Sequence, residues 1–331
     1  MKSFFRLVLL LILVGAGLFY FYGLTPYGPS SETFVDIPVG TGSNGIAARL
    51  EQAGVIRSRY VFLAMRRVHG GTLHAGVYRF DHPEKPAEVY AHLLKGDVYT
   101  IPLVIPEGFN LFDIAGAVQA AKLGTADGFL AAARANTSLI ADLSPRAKSL
   151  EGFLFPDTYK FSPHATPVQM LAAMVRRFRQ IATQLHLIDS NGIPTADLNH
   201  TVTLASLVEK EVRIDSERPL VAGVFVNRMA IGMPLATDPS VIYAALLAGR
   251  WRGTIYQSDL ASDSPYNTYR HAGLPPGPIA NPGVAALKAA TAPASTQYLY
   301  FVADASGSTR FSVDLKEHAA QVQAYRQSQR R

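Results

Sequence analysis

The chain has 331 residues, 48% of them hydrophobic and 17% charged, which excludes wholesale disorder and leaves apolar material for about two domains. Cysteine is absent, so disulfide scaffolds, thiol nucleophiles and thiolate metal sites are excluded. The formal charge is +6, of which Lys2 and Arg6 supply two, leaving +4 (6 − 2). That excess suits a polyanionic partner or an anionic membrane surface, and without a dense basic block interleaved with aromatics no nucleic-acid partner is expected.

Leu7 to Leu24 carries no charge and as a helix would span roughly 27 Å at 1.5 Å per residue, close to a bilayer core. Phe19, Tyr20, Phe21 and Tyr22 supply an interfacial aromatic belt, and Lys2 and Arg6 hold residues 1–6 in the cytoplasm. The segment is therefore read as a single-pass anchor at 7–24 in the cytoplasmic (inner) membrane, with everything after it exported. A cleaved signal peptide, with Val14-Gly15-Ala16 as its cleavage site, is the competing reading. Residues 25–33, in a stretch rich in Gly, Pro and Ser, form a linker.

Residues 34–105 have the pattern of a small α/β module. Thr33–Ile37 alternates as a strand, Gly40–Asn44 turns, and Ile46, Ala47 and Leu50 have helical spacing. A second short helix covers Tyr60–Val68, a strand Gly76–Phe80 and a third helix Ala87–Leu94, before a β-rich stretch at Val98–Ile105. Residues 106–331 are mixed. Leu111 to about Ile188 is mainly helical, interrupted by Glu151–Tyr159 and resuming at Thr166–Gln184. Two more helical stretches fill Val202–Ile231, and an apolar strand covers Gln297–Ala303. Arg326, Arg330 and Arg331 make a solvated basic tail. The fold class is α+β.

One helix carries candidate chemistry. At about 100° per residue, with Leu204 at zero, Glu211 falls about 20° away, inside the apolar face of Leu207, Val208 and Val212. Glu209 falls about 140° away, which predicts a solvated carboxylate. An inward Glu is costly unless paired or neutral. Burial raises its pKa and keeps the proton that a general acid needs. The structural alternative is a buried Glu held by Arg213 or Arg228. Further on, Asp238-Pro239-Ser240 stands at a helix start and is also explained by capping. Ser264–Tyr269 offers aromatic faces and an amide, a common means of binding sugars. No His-Glu-x-x-His, Gly-x-Ser-x-Gly, P-loop or dinucleotide fingerprint supports another chemistry, and the Gly-rich Gly40–Gly45 lacks a βαβ context.

The strings Glu151–Tyr159, Leu204–Glu211, Glu217-Arg218, Val226–Arg228, Gly232–Leu235, Thr237–Tyr243, Tyr266–Tyr269, Gly273–Ile279, Asn281–Gly283 and Tyr298–Ala303 together resemble the YceG-like family of endolytic murein (peptidoglycan) transglycosylases. The resemblance covers nearly all of the exported chain. It implies a LysM-like subdomain at 34–105 and a YceG-like catalytic domain at 106–331. It implies a lyase that cleaves the β-1,4 bond between N-acetylmuramic acid and N-acetylglucosamine within glycan strands, forming 1,6-anhydro-muramic ends.

The family's catalytic Glu lands on Glu211, as general acid and then base, with no metal or cofactor. Candidate substrate contacts are Glu217, Asn227, Asp238, Tyr243, Asn267 and Tyr269. Expected partners are peptidoglycan strands, the cytoplasmic membrane and peptidoglycan synthases. Two alternatives stay open: a membrane-anchored peptidoglycan-binding scaffold without turnover, and a hydrolytic muramidase using Glu217 or Asp238 as a second carboxylate.

Overall fold

A computed structural model describes residues 2–304 and 307–328; Arg330 and Arg331 of the basic tail lie outside the described residues. The fold is mixed α+β, and the chain divides into two compact units. One comprises Met1–Ile101 with Lys160–His164, the other Pro102–Tyr159 with Ala165–Arg331.

In the first unit, α1 (Lys2–Phe19) runs into a π-helical turn at Tyr20–Leu24. The span Phe4–Leu24 is 21 residues long and apolar enough to cross a membrane by length and composition, and none of it is buried. Beyond it, β1 (Thr33–Ile37), α2 (Ser43–Gln52), α3 (Arg59–His69), β2 (Gly76–Phe80) and α4 (Pro86–Lys95) follow one another. β1 and β2 pair antiparallel, from Thr33 opposite Phe80 to Ile37 opposite Gly76. The period-2 alternation turns Val35 and Ile37 inward, where they meet Leu50, Phe62, Phe80 and Leu93 in one core. Gly96, left-handed at φ 69°, ends α4, a conformation that favours glycine.

The second unit is mainly helical. Its elements are most of β3 (Ile101–Val104), α5 (Leu111–Ala120), α6 (Ala126–Ala135), the first half of β4 (Thr158–Phe161), α7 (Pro167–Gln184), α8 (Leu198–Glu211), α9 (Arg218–Ala230), α10 (Asp238–Leu247), α11 (Gln257–Leu260), α12 (Val284–Thr291), β5 (Tyr300–Ala303), β6 (Thr309–Ser312) and α13 (Leu315–Ser328). β3 pairs with β4 and β5 with β6. α8 is the central helix, packed against α9, α10 and α12. Leu204, Leu207, Val208, Val221, Phe225, Leu235, Tyr243 and Ile279 form the core around it.

That central position corrects one expectation. Glu209 is not solvated: its side chain is 6% exposed and ion-paired to Arg218 at 2.9 Å. It also accepts a hydrogen bond from the Gly283 amide at 2.9 Å. Glu107 accepts from the next amide, Val284, and burial and the neighbouring Glu209 raise its pKa. The two carboxylates thus cap α12, where a helix N-terminus favours negative charge, and Arg218 compensates them. A helix enclosed on several sides has no fully wet face, so polar residues opposite its apolar stripe must find protein partners.

Asn281 ties three distant segments together. Its Nδ2 donates to the Phe109 carbonyl and to Glu151 Oε1, both at 2.9 Å. Its Oδ1 accepts from the Leu154 amide at 2.8 Å. Glu151 Oε2 accepts from the Leu111 amide at the start of α5, at 2.9 Å. Gly152, at φ 85°, lies so close to Pro278 and Val202 that a Cβ has no room. The strings Glu151–Tyr159 and Asn281–Gly283 meet here.

Candidate functional site

Glu211 is the last residue of α8, and Val212 turns the chain into extended structure. Its carboxyl lines a cleft of about 500 Å³ together with Arg228, Met233, Asp238, Tyr269, Tyr300 and His318. Among the described residues, no cation stands within ion-pair distance of Glu211 and no donor reaches its carboxyl. Burial first, and the Asp238 carboxylate second, raise its pKa from 4.5 to about 7; Arg228 opposes them. Glu211 thus switches between its protonated and ionised forms near neutrality.

Arg228 does not hold Glu211 in an ion pair. Its Nε donates to the Leu299 carbonyl and its Nη1 to the Leu235 carbonyl, each at 2.7 Å. Its guanidinium lies 5.5 Å from the centre of the Tyr300 ring. Tyr300 in turn stacks on His318, with ring centres 5.2 Å apart and planes at 24°. Burial and Arg228 lower the His318 pKa, so this imidazole is neutral near pH 7.

Asp238 opens α10, but the N-cap is Thr237. The Asp238 carboxylate instead accepts from the Tyr269 hydroxyl at 2.7 Å. The loop carrying Tyr269 is locked onto the start of α10: the Thr237 amide donates to Thr268 Oγ1 at 3.0 Å. Ser240 Oγ meets the same hydroxyl at 2.8 Å. Burial and the Asp238 hydrogen bond raise the Tyr269 pKa, so its phenol stays protonated.

Of the seven sequence-selected residues, Glu211, Asp238 and Tyr269 come together in this cleft. The other four do not line it. Glu217 accepts from the amide and the hydroxyl of Thr309, at 3.0 and 2.5 Å, anchoring β6. Asn227 Nδ2 donates to the Thr296 and Tyr298 carbonyls, each at 2.9 Å, fixing the approach to β5. Asn267 is fully buried; it donates to the Leu260 and Ser262 carbonyls at 2.9 and 2.7 Å and accepts from the Tyr269 amide at 3.1 Å. Tyr243 is hydrogen-bonded to Glu151 in a different cleft. Tyr300 and His318 were not selected from sequence. Tyr300 sat in a strand read as apolar, and His318 is a lone histidine with no motif around it.

The α8 carboxyl is thus set against an aromatic-walled cleft in the mainly helical unit. Residues 35–324 match the YceG-like family, and the chain belongs to that family. It is 32% identical over 335 residues to the endolytic murein transglycosylase of Bacillus subtilis, covering 95% of this chain and 91% of that protein. The endolytic murein transglycosylase of Streptococcus pneumoniae serotype 2 is 30% identical over 96% of this chain; the chain spans 63% of that relative's length. The crystal structure of a yceG-like protein from Listeria monocytogenes aligns with a TM-score of 0.57 and 31% identity, covering 88% of this chain and 99% of that one.

Proposed function

We propose that the chain is an endolytic murein lytic transglycosylase, cleaving the β-1,4 bond between N-acetylmuramic acid and N-acetylglucosamine within peptidoglycan strands. The observation that carries this reading is Glu211, a carboxyl raised to about 7 without an ion-pair partner and facing an open cleft walled by Tyr269 and Tyr300. A carboxyl tuned toward neutrality can both give and take a proton at working pH. Glu211 protonates the leaving O4 as the C1–O4 bond breaks. Its carboxylate then takes the proton of the C6 hydroxyl as O6 bonds to C1, leaving a 1,6-anhydro end and a reprotonated Glu211. The sugar's own hydroxyl replaces the water or enzyme nucleophile of ordinary glycosidases, so no metal or cofactor enters.

In this reading Asp238 and Tyr269 orient the sugar, and the Asp238 charge adds to burial in raising the Glu211 pKa. Glu217, Asn227 and Asn267 act at one remove, through the backbone they fix. Residues 34–105 serve as a LysM-like subdomain, supported by the strand–helix–helix–strand order of β1 to β2. Residues 7–24 anchor the protein in the cytoplasmic membrane, with 1–6 inside, 25–33 as linker and the catalytic domain at 106–331 outside. There it works beside peptidoglycan synthases.

A hydrolytic muramidase is the second reading, because Asp238 shares the cleft with Glu211. End-group analysis separates the two. Full-length protein in detergent micelles is incubated with purified glycan strands, and the products are read by mass spectrometry. The proposal expects anhydro ends from wild type and none from folded Glu211→Gln. Reducing ends instead would assign hydrolysis; equal product from both proteins would remove Glu211 from the chemistry.

A further inference from the structure

A second cleft in the same unit, of about 370 Å³, is lined by Tyr266, Leu247 and Pro276–Pro278, with Tyr243 and Glu151 among its walls and Arg146 and Lys148 beside them. It shares Arg146, Asn199 and Pro276 with a neighbouring cleft of about 570 Å³ that reaches Asp142, Pro194 and Asp197. The two clefts adjoin at these three shared residues and together make up one groove. None of its lining residues lines the Glu211 cleft.

The charges along this groove are not evenly satisfied. Every carboxylate in it has a partner. Asp142 pairs with Arg179 at 2.7 Å. Asp197 accepts from the His200 amide at 3.1 Å as the cap of α8. Glu151 is held by Leu111, Asn281 and Tyr243. The cations are different: Arg146 and Lys148 are exposed, and neither makes an ion pair among the described residues. The Asn199 side-chain amide also has no partner among them. The groove therefore presents two free cations, a free amide and an apolar, aromatic wall.

We propose that this groove binds the short, carboxylate-bearing peptide attached to the glycan strand, so that the enzyme reads the peptide while Glu211 acts on the sugar. Arg146 and Lys148 meet carboxylates, Asn199 meets a peptide amide through both its donor and acceptor, and Tyr266 and the prolines cover the apolar side. The choice of occupant rests on the murein reading above. The demand for an anionic, amide-containing ligand rests on the groove alone.

The test is titration calorimetry on the full-length protein in micelles. One probe is the disaccharide-peptide released from murein by a muramidase; the other is the same disaccharide after an amidase has removed the peptide. Wild type is expected to bind the first at least tenfold more tightly. Arg146→Ala/Lys148→Ala is expected to erase the difference, as is Tyr266→Ala. Arg134→Ala/Arg176→Ala, which removes two exposed cations outside the groove, is expected to keep it. Equal affinity for both probes in wild type, or a preference that survives in Arg146→Ala/Lys148→Ala, overturns the proposal. Digestion of peptide-free strands by the same preparation reports separately on the transglycosylase reading, so failure of one is distinguishable from failure of the other.

Discussion

Glu211→Gln should do two things of opposite sign: abolish turnover and stabilise the fold at alkaline pH. A carboxyl whose folded pKa is raised from 4.5 to about 7 costs about 3 kcal/mol to ionise in the folded protein. Glu211 lines an open cleft and keeps part of its hydration, which trims this to ~2 kcal/mol. Between these two pKa values the unfolded chain has lost the proton and the folded chain retains it. Stability therefore falls as pH rises through that window and stays reduced above it. Glutamine is neutral throughout and avoids the loss.

At pH 8 the variant should therefore melt about 4–8 °C above wild type, taking about 2–4 °C per kcal/mol for a unit of this size. At pH 4.5 the two should melt together. Turnover should drop by a factor on the order of 100 or more, the usual loss of a general acid–base group. Scanning calorimetry in micelles at both pH values, alongside end-group analysis, tests this. A gain that is the same at both pH values would trace to packing rather than to charge, and would refute the argument. So would undiminished turnover.

The pH profile of turnover should fall on its alkaline side with a midpoint near 7, the value to which the Glu211 carboxyl is raised; a rate still climbing at pH 9 would contradict this. Arg218→Ala leaves Glu209 buried and uncompensated beside Glu107, and should cost about 3–5 kcal/mol by denaturant titration. Asn281→Ala leaves the Leu154 amide and Glu151 Oε1 short of partners, worth about 2–4 kcal/mol. Amide exchange at Leu154 should accelerate with it, and unchanged protection there would count against Asn281 as the clamp.

The inward direction of Glu211 was legible because it depends only on helical periodicity within a few residues. The start of α10 at Asp238 was legible from Pro at the second position. The error at Glu209 has the same origin as the success at Glu211. Periodicity marks an apolar face, but it does not tell whether other elements cover the opposite one, and α12 and α9 do. Glu217, Asn227 and Asn267 look like ligand contacts in sequence because their type suits sugars. Their partners, at Thr309, Thr296 and Ser262, are backbone and hydroxyl groups with no sequence pattern of their own. The aromatic stack of Tyr300 on His318 joins a strand and a terminal helix, so only tertiary structure could reveal it.

Helix α10 has a mechanical consequence. Asp238 begins it beside Glu211, and Tyr243, about 7.5 Å further along the axis at 1.5 Å per residue, faces Glu151 in the other cleft. A helix resists stretching because its own ladder of hydrogen bonds would have to break. α10 therefore behaves as a strut, and a push at one end arrives at the other. A tilt from the Tyr243 side would re-aim the Asp238 carboxylate, which after burial is the second cause of the raised Glu211 pKa. If occupancy at one end alters affinity at the other, linkage requires the reverse effect to have the same factor.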